Sequence, residues 1–271
     1  MRKLIFILLL FLPLTILSKE QYIYSAVSVG NKESTIAQHK PLLNYVTDKT
    51  NKKIIITYYE NHKELVEMFI KGDVDIAYLG PIPFLALKRK YSNYEPLVMV
   101  REKDGKSSYR CVLFAPIDQM DPLKNIKNIA MTNPLSTCGY TFVHSALKKK
   151  GVDLESIPYS YVGNHEEVAK KVIAGLFSIG ATKEDIFEKY KNLGLKAIIS
   201  SDELPAFIIV ANKKTMSQND IDLIRNSLLK IPNNTLSILK IGKNGFDRFD
   251  ESKYINFEKL LDSNILKRIY E

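Results

Sequence analysis

The sequence is poor in metal-binding side chains, with two cysteines, Cys111 and Cys138, and four histidines among 271 residues. The cysteine spacing is not that of a zinc site and the histidines are scattered, so we expect no metal ion and no cofactor. In an oxidising compartment the two cysteines can form a disulfide; otherwise they are two small buried thiols. Short-period repeats and low-complexity segments are also missing, and about 250 mature residues suffice for one large domain or two small ones.

Long blocks of like charge are absent as well. The chain has 39 lysines and arginines against 30 aspartates and glutamates, for a formal net charge of +9. Because these lysines are spread along the chain, without a run of five or six like charges, we expect no nucleic-acid partner. The positive charge fits a protein that handles anions but does not establish one.

No apolar run reaches the length of about 20 residues that spans a bilayer. The longest N-terminal run, Leu4–Leu17, is broken by Pro13 and follows the cationic Arg2 and Lys3. This pattern predicts a cleaved signal peptide over residues 1–18 and export to the periplasm of a Gram-negative source. An uncleaved anchor is the alternative, and a lipid anchor is not expected because no cysteine lies near the cleavage region.

Short apolar strands alternate with helical patterns of about ten residues along most of the chain, which predicts an α/β fold with parallel strands. Two such runs of similar size are separated by the polar segment Glu102–Ser108, and Ser200–Pro205 reads as the return crossing. The expected organisation is therefore two α/β lobes, residues 19–105 with 206–271 and residues 106–205. A ligand cleft is expected between the lobes.

The segment Asn133–Tyr140 carries the clearest functional signal. It follows a short apolar strand, Ile129–Met131, and precedes a helical pattern. Hydroxyls such as Ser136 and Thr137 at a strand-to-helix junction add donors to the unpaired N–H groups and positive dipole of the helix start, while Gly139 allows close backbone approach. Taken alone, the same residues also describe an ordinary helix N-cap.

Four blocks in this order resemble the phosphate, phosphite and phosphonate-type solute-binding proteins of ABC transporters, over roughly residues 22–212. The blocks are Gly72–Pro81, Tyr109–Leu113, Asn133–Tyr140 and Gly163–Glu166. In the third, the family has an Asp-Pro-x-Ser-Thr-Ser-Gly-aromatic pattern. The resemblance implies a type II periplasmic-binding-protein architecture, with two lobes joined by a two-segment hinge and an oxyanion held between them. It also implies an ABC permease as partner, and we expect a monomer.

The resemblance also implies a set of ligand-binding residues. Hydroxyls and main-chain N–H groups of the third block would hold the anion, with a tyrosine from the crossing strand and a histidine from a helix start. A second histidine would lie on the wall of the first lobe, and a tyrosine would line the core or the cleft. In that order, the residues are Ser136, Thr137, Cys138, Gly139, Tyr109, His165, His62 and Tyr78.

Three positions depart from the family pattern. Ser178 stands where the family usually has an aspartate, and the resemblance therefore implies a cleft without that carboxylate and more tolerant of a fully ionised ligand. Cys138 replaces the third serine of the pattern, and Cys111 replaces a serine two positions after the tyrosine. We expect the two cysteines to lie close together on the cleft wall, either as a disulfide or as thiols able to bind a thiophilic oxyanion such as arsenite.

The function expected from these observations is capture of a small phosphorus oxyanion for an ABC importer. The alternative is a sensory binding protein that reports an oxyanion to a membrane histidine kinase, since closure of the lobes is the output in either case. An enzyme is not expected, because the blocks that would form the cleft contain neither paired carboxylates nor a nucleophile with a base and an orienting group.

Overall fold

The computed structural model describes residues 19–27 and 32–270, so the predicted signal peptide, residues 1–18, lies outside the described residues. The strands, in chain order, are β1 (Gln21–Val27), β2 (Lys53–Tyr59), β3 (Ile76–Leu79), β4 (Tyr94–Val100), β5 (Ser108–Tyr109), β6 (Cys111–Pro116), β7 (Ile129–Met131), β8 (Tyr159–Tyr161), β9 (Ile179–Lys183), β10 (Leu195–Ser200), β11 (Leu204–Pro205), β12 (Ile208–Asn212) and β13 (Phe246–Asp247).

Helices alternate with these strands. In chain order they are α1 (Lys32–Thr50), α2 (His62–Lys71), α3 (Pro81–Lys90), α4 (Phe142–Lys148), α5 (His165–Ile173), α6 (Glu184–Tyr190), α7 (Gln218–Leu229), α8 (Asn233–Leu236), α9 (Glu251–Lys259) and α10 (Ser263–Tyr270). A wide, kinked turn, Thr137–Thr141, leads into α4, and single 3₁₀ turns occupy Leu154–Ser156 and Lys191–Leu193. In the described residues, no helix has the length and apolar character needed to cross a membrane.

The first lobe is built on a six-stranded sheet in the order β13-β4-β12-β3-β1-β2. Strand β1 runs parallel to β2 and β3, whereas β12 runs antiparallel to β3 and β4. Helices cover both faces of this sheet, and inner strands such as β3 are therefore buried throughout. Leu42 and Ile224 of α1 and α7 pack on one face, and Phe69 and Phe84 of α2 and α3 pack on the other.

The second lobe is built on a five-stranded sheet in the order β10-β6-β9-β7-β8. Strand β7 runs parallel to β8 and β9, and β6 runs antiparallel to β9 and β10. Val143 and Leu147 of α4 pack on one face, while Val168 and Val172 of α5 pack on the other. Each lobe thus has its own sheet with helices on both sides, as the alternating sequence pattern predicts.

The two lobes are joined where β5 and β11 pair antiparallel, with Ser108 opposite Pro205 and Tyr109 opposite Leu204. The expected α/β architecture with two lobes and a two-segment hinge is confirmed. The lobe boundaries at residues 105/106 and 205/206 lie beside this ribbon and stay a prediction.

The C-terminal helix α10 also contacts both lobes. Its Ile265 and Ile269 pack with α3 of the first lobe. Its Arg268 guanidinium lies over the Tyr140 ring of the second lobe, 3.8 Å from the ring centroid, and donates to the Tyr161 hydroxyl at 2.5 Å. These contacts add to those of the hinge and hold the lobes close together.

Candidate functional site

A small cavity of about 20 Å³ lies between the lobes, near the hinge. The residues on the first-lobe side are Val27, His62, Gly80, Pro83 and Phe207. The residues on the second-lobe side, including Tyr109 of hinge strand β5, are Tyr109, Ser136, Thr137, Cys138, His165 and Lys183. Six of the predicted site residues, all but Gly139, Tyr78 and Ser178, therefore border one cavity. A cavity of this volume has room for about one water molecule, so a larger ligand requires the lobes or the lining side chains to move apart.

Four helical segments begin at this cavity. Helix α2 begins at His62, α3 follows Gly80, the turn into α4 follows Ser136, and α5 begins at His165. The positive dipole end of each segment is therefore directed at the same space, which favours an anion. Unpaired main-chain N–H groups add to this effect at α2, at the turn and at α5. Helix α3 contributes only its dipole, because it begins with Pro81 and Pro83 and the Ile82 N–H is bonded to Thr137. Helices α2 and α5 begin in the same way. Each has an asparagine N-cap, Asn61 or Asn164, whose side chain accepts a hydrogen bond from the third main-chain N–H after it.

The hydroxyls of the third sequence block are held in defined roles. The Ser136 Oγ accepts a hydrogen bond from the Gly139 N–H at 3.3 Å, which caps the turn and leaves the hydroxyl proton for a ligand. The Thr137 Oγ1 accepts from the Ile82 N–H of the opposite lobe, also at 3.3 Å. Thr137 therefore links the two lobes directly at the cavity.

Gly139 does not border the cavity, but it permits the tight path of this turn. A Cβ atom at this position would lie 2.7 Å from the Thr132 Oγ1 and 3.2 Å from the Asn133 carbonyl oxygen. Such distances leave no space for a side chain. A glycine is therefore needed here because the turn packs closely against the strand before it, and not because the Gly139 backbone contacts a ligand.

His165 is a neutral hydrogen-bond donor in this setting. Its Nδ1 accepts from the main-chain N–H of Lys183 at 3.2 Å and lies 2.7 Å from the Thr182 Oγ1. Burial, with the charge of Lys183, lowers the pKa of His165 to about 4. Since Nδ1 is the acceptor, the neutral ring carries its proton on Nε2, which is then its available donor.

His62 faces His165 from the first lobe. Its Nδ1 is buried and has no hydrogen-bond partner among the described residues. Burial, with a further contribution from His165, lowers the pKa of His62 to about 3. A buried ring nitrogen without a partner at a cavity that favours anions is a group that a ligand can satisfy.

Aromatic rings form the wall nearest the hinge. Tyr109 is buried, and burial raises the pKa of its hydroxyl while a hydrogen bond with Thr137 acts in the opposite direction. Its ring lies 5.7 Å from that of Phe207, and Tyr78 stacks on Phe207 at 5.0 Å. Tyr78 therefore supports Phe207 and does not itself border the cavity, in line with the expectation of a core or lining residue.

Lys183 is a cleft residue that the sequence pattern did not indicate. It is the last residue of β9 and only 7% exposed, and its Nζ lies 5.0 Å from the Tyr109 ring centroid and 3.0 Å from the Glu102 Oε1. A lysine at a strand end usually points to solvent. Only the pairing register of β9 with β6, which places Lys183 opposite Cys111, could have identified it as a cleft residue. With both nearby histidines neutral, its ammonium is the positive side chain at the cavity within residues 19–27 and 32–270.

The structure corrects the expectation for Ser178. This serine precedes β9, and its Oγ donates to the Asn128 carbonyl oxygen at 2.7 Å and accepts from the Lys127 and Asn128 N–H groups. The cavity lies at the carboxyl end of β9, beside Thr182 and Lys183, whereas Ser178 lies at the amino end. Ser178 therefore ties two loops together away from the cleft and cannot set the charge of a ligand there.

Cys111 and Cys138 form a disulfide with their Cα atoms 5.2 Å apart. The expectation that they lie close together at the cleft is confirmed. Because both cysteines of the chain are in this bond, neither offers a thiol in this structure, and a thiophilic site for arsenite is not formed. Cys138 can contribute only its main-chain N–H, which follows Thr137 at the helical start.

Two α/β lobes with a cleft near the hinge define the periplasmic-binding-protein architecture. The sequence profile of the family described as ABC transporter, phosphonate, periplasmic substrate-binding protein matches residues 24–254. The chain therefore belongs to this family, as its sequence blocks predict. The family is one of solute-binding transport proteins and not of enzymes.

Individual relatives are distant in sequence. The phosphate-import protein PhnD of Mycolicibacterium smegmatis is 22% identical over 208 residues, which span 69% of this chain and 65% of the relative. PhnD1 from Prochlorococcus marinus, solved in complex with methylphosphonate, superposes with a TM-score of 0.80 at 15% identity, covering 92% of this chain and 99% of that one. The binding protein of an ABC phosphonate transporter from Pseudomonas aeruginosa gives a TM-score of 0.78 at 18% identity, covering 90% and 86%. At these identities the solved structures establish the shared fold alone.

Proposed function

We propose that this protein captures a small phosphorus oxyanion, such as phosphate, phosphite or a phosphonate, in the interlobe cleft and delivers it to an ABC importer. The observation that carries the proposal is the convergence of four helical N-termini on one cavity that also holds hydroxyls and neutral imidazoles. The hydroxyls, the imidazole N–H groups and the free main-chain N–H groups at the starts of α2, the turn and α5 are hydrogen-bond donors suited to anionic oxygens, and the start of α3 adds its dipole. The phosphate and methylphosphonate named for two relatives support the same ligand class.

Closure of the lobes provides the signal that a permease would read. The hydrogen bond from Ile82 to Thr137 joins a helix start of the first lobe to the anion-binding turn of the second. A ligand held by both lobes would favour this arrangement over an open one, because a ligand shifts an equilibrium by its differential affinity for the two states. A membrane sensor kinase could read the same closure, and family membership is what favours the importer.

Several expectations belong to this proposal. A periplasmic location is supported by the description of the family, and the signal peptide over residues 1–18 stays a prediction from the N-terminal pattern. The monomeric state likewise stays a prediction. The assignment of Ser136, Thr137, Cys138, Tyr109, His165 and His62 as ligand-binding residues rests on their position around the cavity.

The test is a binding panel on the mature protein, beginning at Lys19. Phosphate, phosphite, methylphosphonate, sulfate, arsenate and arsenite would be compared by thermal shift and by titration calorimetry. A phosphorus oxyanion at about 100 times its Kd should add about 2.7 kcal/mol to the free energy of unfolding. Stabilisation by none of the phosphorus compounds would contradict the proposal.

The double variant Ser136→Ala with Thr137→Val locates the site. Each hydrogen bond lost to a charged group is worth about 1.5–3 kcal/mol, so affinity should fall by about 10²- to 10⁴-fold. Ser156→Ala, an exposed hydroxyl of the same lobe, is the matched control and should bind like the wild type. Unchanged binding by the double variant would place the ligand elsewhere.

A further inference from the structure

Lys183 occupies an unusual position for a lysine, enclosed between the ligand cavity and the hinge. Its Nζ lies 5.0 Å from the Tyr109 ring centroid and 5.2 Å from that of Phe207, two rings that border the cavity. On the hinge side the same Nζ lies 3.0 Å from the Glu102 Oε1 and 4.0 Å from the Asp185 Oδ2. The ammonium therefore stands between the ligand cavity and an acidic group.

The charges on its two sides are strongly unequal. A separate depression of about 210 Å³ on the hinge side is lined by more carboxylates than cations. The carboxylates are Glu102, Asp104, Glu184, Asp185, Glu188 and Glu203, and the cations are Lys103, Arg110 and Lys183 itself. By contrast, no carboxylate of the described residues borders the ligand cavity, where Lys183 is the charged side chain. An anion in the cavity thus meets the cation first and the carboxylates from behind it.

Nearby carboxylates hold Lys183 in its charged form. Burial opposes it, but Glu102 and Asp185 outweigh burial and raise the pKa of the lysine above its ordinary value. The titratable groups that face it on the cavity side, Tyr109 and His165, are neutral because burial raises the pKa of the first and lowers that of the second to about 4. The site therefore presents one fixed positive charge around neutral pH.

We propose that Lys183 makes this cleft selective for doubly charged oxyanions and discriminates against ligands that carry an ammonium group. The proposal rests on the proposed function and specifies its ligand class. A second negative charge near a partly desolvated ammonium is stabilised far more than it would be in water, and a ligand ammonium is repelled by the same field. The described cavity offers a ligand ammonium no carboxylate as a partner.

The competing explanation is purely structural, since the pair of Lys183 and Glu102 could simply brace the hinge against the second lobe. Two variants separate the roles. Lys183→Met removes the cation, whereas Glu102→Gln removes the carboxylate behind it and leaves the cation facing the ligand. If the pair only stabilises the hinge, both variants should weaken ligand binding to the same extent. If Lys183 selects ligands by charge, only Lys183→Met should lose the preference for doubly charged ligands.

The experiment is calorimetry on the mature chain at about pH 9, because alkylphosphonates lose their second proton at higher pH than phosphate esters, whose second ionisation lies near pH 6. Two ligand pairs differ in charge at similar size: phosphite against the singly charged hypophosphite, and ethylphosphonate against 2-aminoethylphosphonate. The wild type should prefer the first member of each pair by about tenfold or more. Lys183→Met should reduce both preferences to below about threefold, chiefly by weakening phosphite and ethylphosphonate.

Three further variants keep the test decisive. Glu102→Gln should bind phosphite at least as tightly as the wild type, and Lys183→Arg should retain both preferences. Lys189→Met, which removes an exposed lysine paired with Glu166 at 2.6 Å, is the matched control and should change neither. Circular dichroism and thermal melting verify that each variant folds.

Distinct outcomes overturn the two proposals. Equal losses in Lys183→Met and Glu102→Gln across all four ligands would assign the pair to the hinge and refute charge selection. A wild type that binds phosphite and hypophosphite, or ethylphosphonate and its amine, with equal affinity would refute it as well while leaving oxyanion binding intact. Binding of no phosphorus compound by the wild type would overturn the proposed function and this inference with it.

Discussion

Reduction of the disulfide between Cys111 and Cys138 should lower both the stability of the protein and its affinity for ligand. The bond closes a segment with a sequence separation of 27 residues. On the chain-entropy account, a cross-link of this length stabilises the folded state by about 3.5 kcal/mol. For a chain of this size, about 2–4 °C of Tm per kcal/mol gives a decrease of about 7–14 °C.

The effect on binding follows from what the disulfide joins. Cys111 begins β6 and lies opposite Lys183 in the pairing of β6 with β9. Cys138 belongs to the turn whose hydroxyls and N–H groups face the cavity. The bond thus fixes the anion-binding turn close to Lys183. Without the bond, part of the binding free energy is used to order the turn, so affinity should weaken by about three- to tenfold.

The assay compares calorimetric melting and ligand titration of the wild type with and without a phosphine reductant. Thiol titration under denaturing conditions confirms the redox state. The double variant Cys111→Ser with Cys138→Ser should melt near the reduced wild type and should not respond to reductant. Equal Tm values for oxidised and reduced wild type, or two titratable thiols in the untreated protein, would refute the reasoning.

Other predictions concern pH, packing and the corrected serine. Burial lowers the pKa of His39 to about 3 and that of His165 to about 4, both below the ordinary 6.5, so the unfolded chain binds protons that the folded chain rejects. The free energy of unfolding should therefore fall by roughly 2 kcal/mol per histidine from pH 7 to 5, as measured by urea denaturation, and a flat profile would contradict both shifts. Gly139→Ala should abolish calorimetric binding because its Cβ has no space, and wild-type affinity would show that the turn relaxes. Ser178→Ala should bind ligand like the wild type, and a large loss would return Ser178 to the site.

Local signals explain the parts of the fold that sequence could predict. The apolar positions Leu65, Val66, Phe69 and Ile70 predict a helix over His62–Lys71. Helix α2 is observed with these limits, since it begins at an asparagine N-cap and ends at Gly72, whose φ of 98° suits glycine. The sequence likewise predicts a helix over Gln218–Leu229, and α7 is observed with these limits after a serine N-cap. The sequence also predicts one last helix near Phe257–Ile269, and this prediction is wrong. The helical path is interrupted between α9 and α10, which allows α10 to reach the second lobe.

The part of the candidate site formed by hydroxyls, histidine and glycine could be predicted, because these residues occur in recognisable sequence blocks. The positive charge of Lys183 could not, because its position at the cavity depends on how β9 is placed in the sheet. Ser178 and Lys183 lie at opposite ends of one strand, five positions and therefore about 16 Å apart. The family resemblance drew attention to the first, whereas the second borders the cavity. Which end of a strand meets a cleft is decided by the topology of the whole sheet, and no local pattern around Phe177–Lys183 reports it.

The most direct test of the account is a crystal structure of the mature protein grown with phosphite or phosphate. We predict the anion in the interlobe cavity, within hydrogen-bond distance of the Ser136 and Thr137 hydroxyls, the His165 Nε2 and the N–H groups after Ser136, with the Lys183 ammonium on its hinge side. An anion bound outside this cavity, or a cleft that stays without ligand at saturating concentration, would contradict the account.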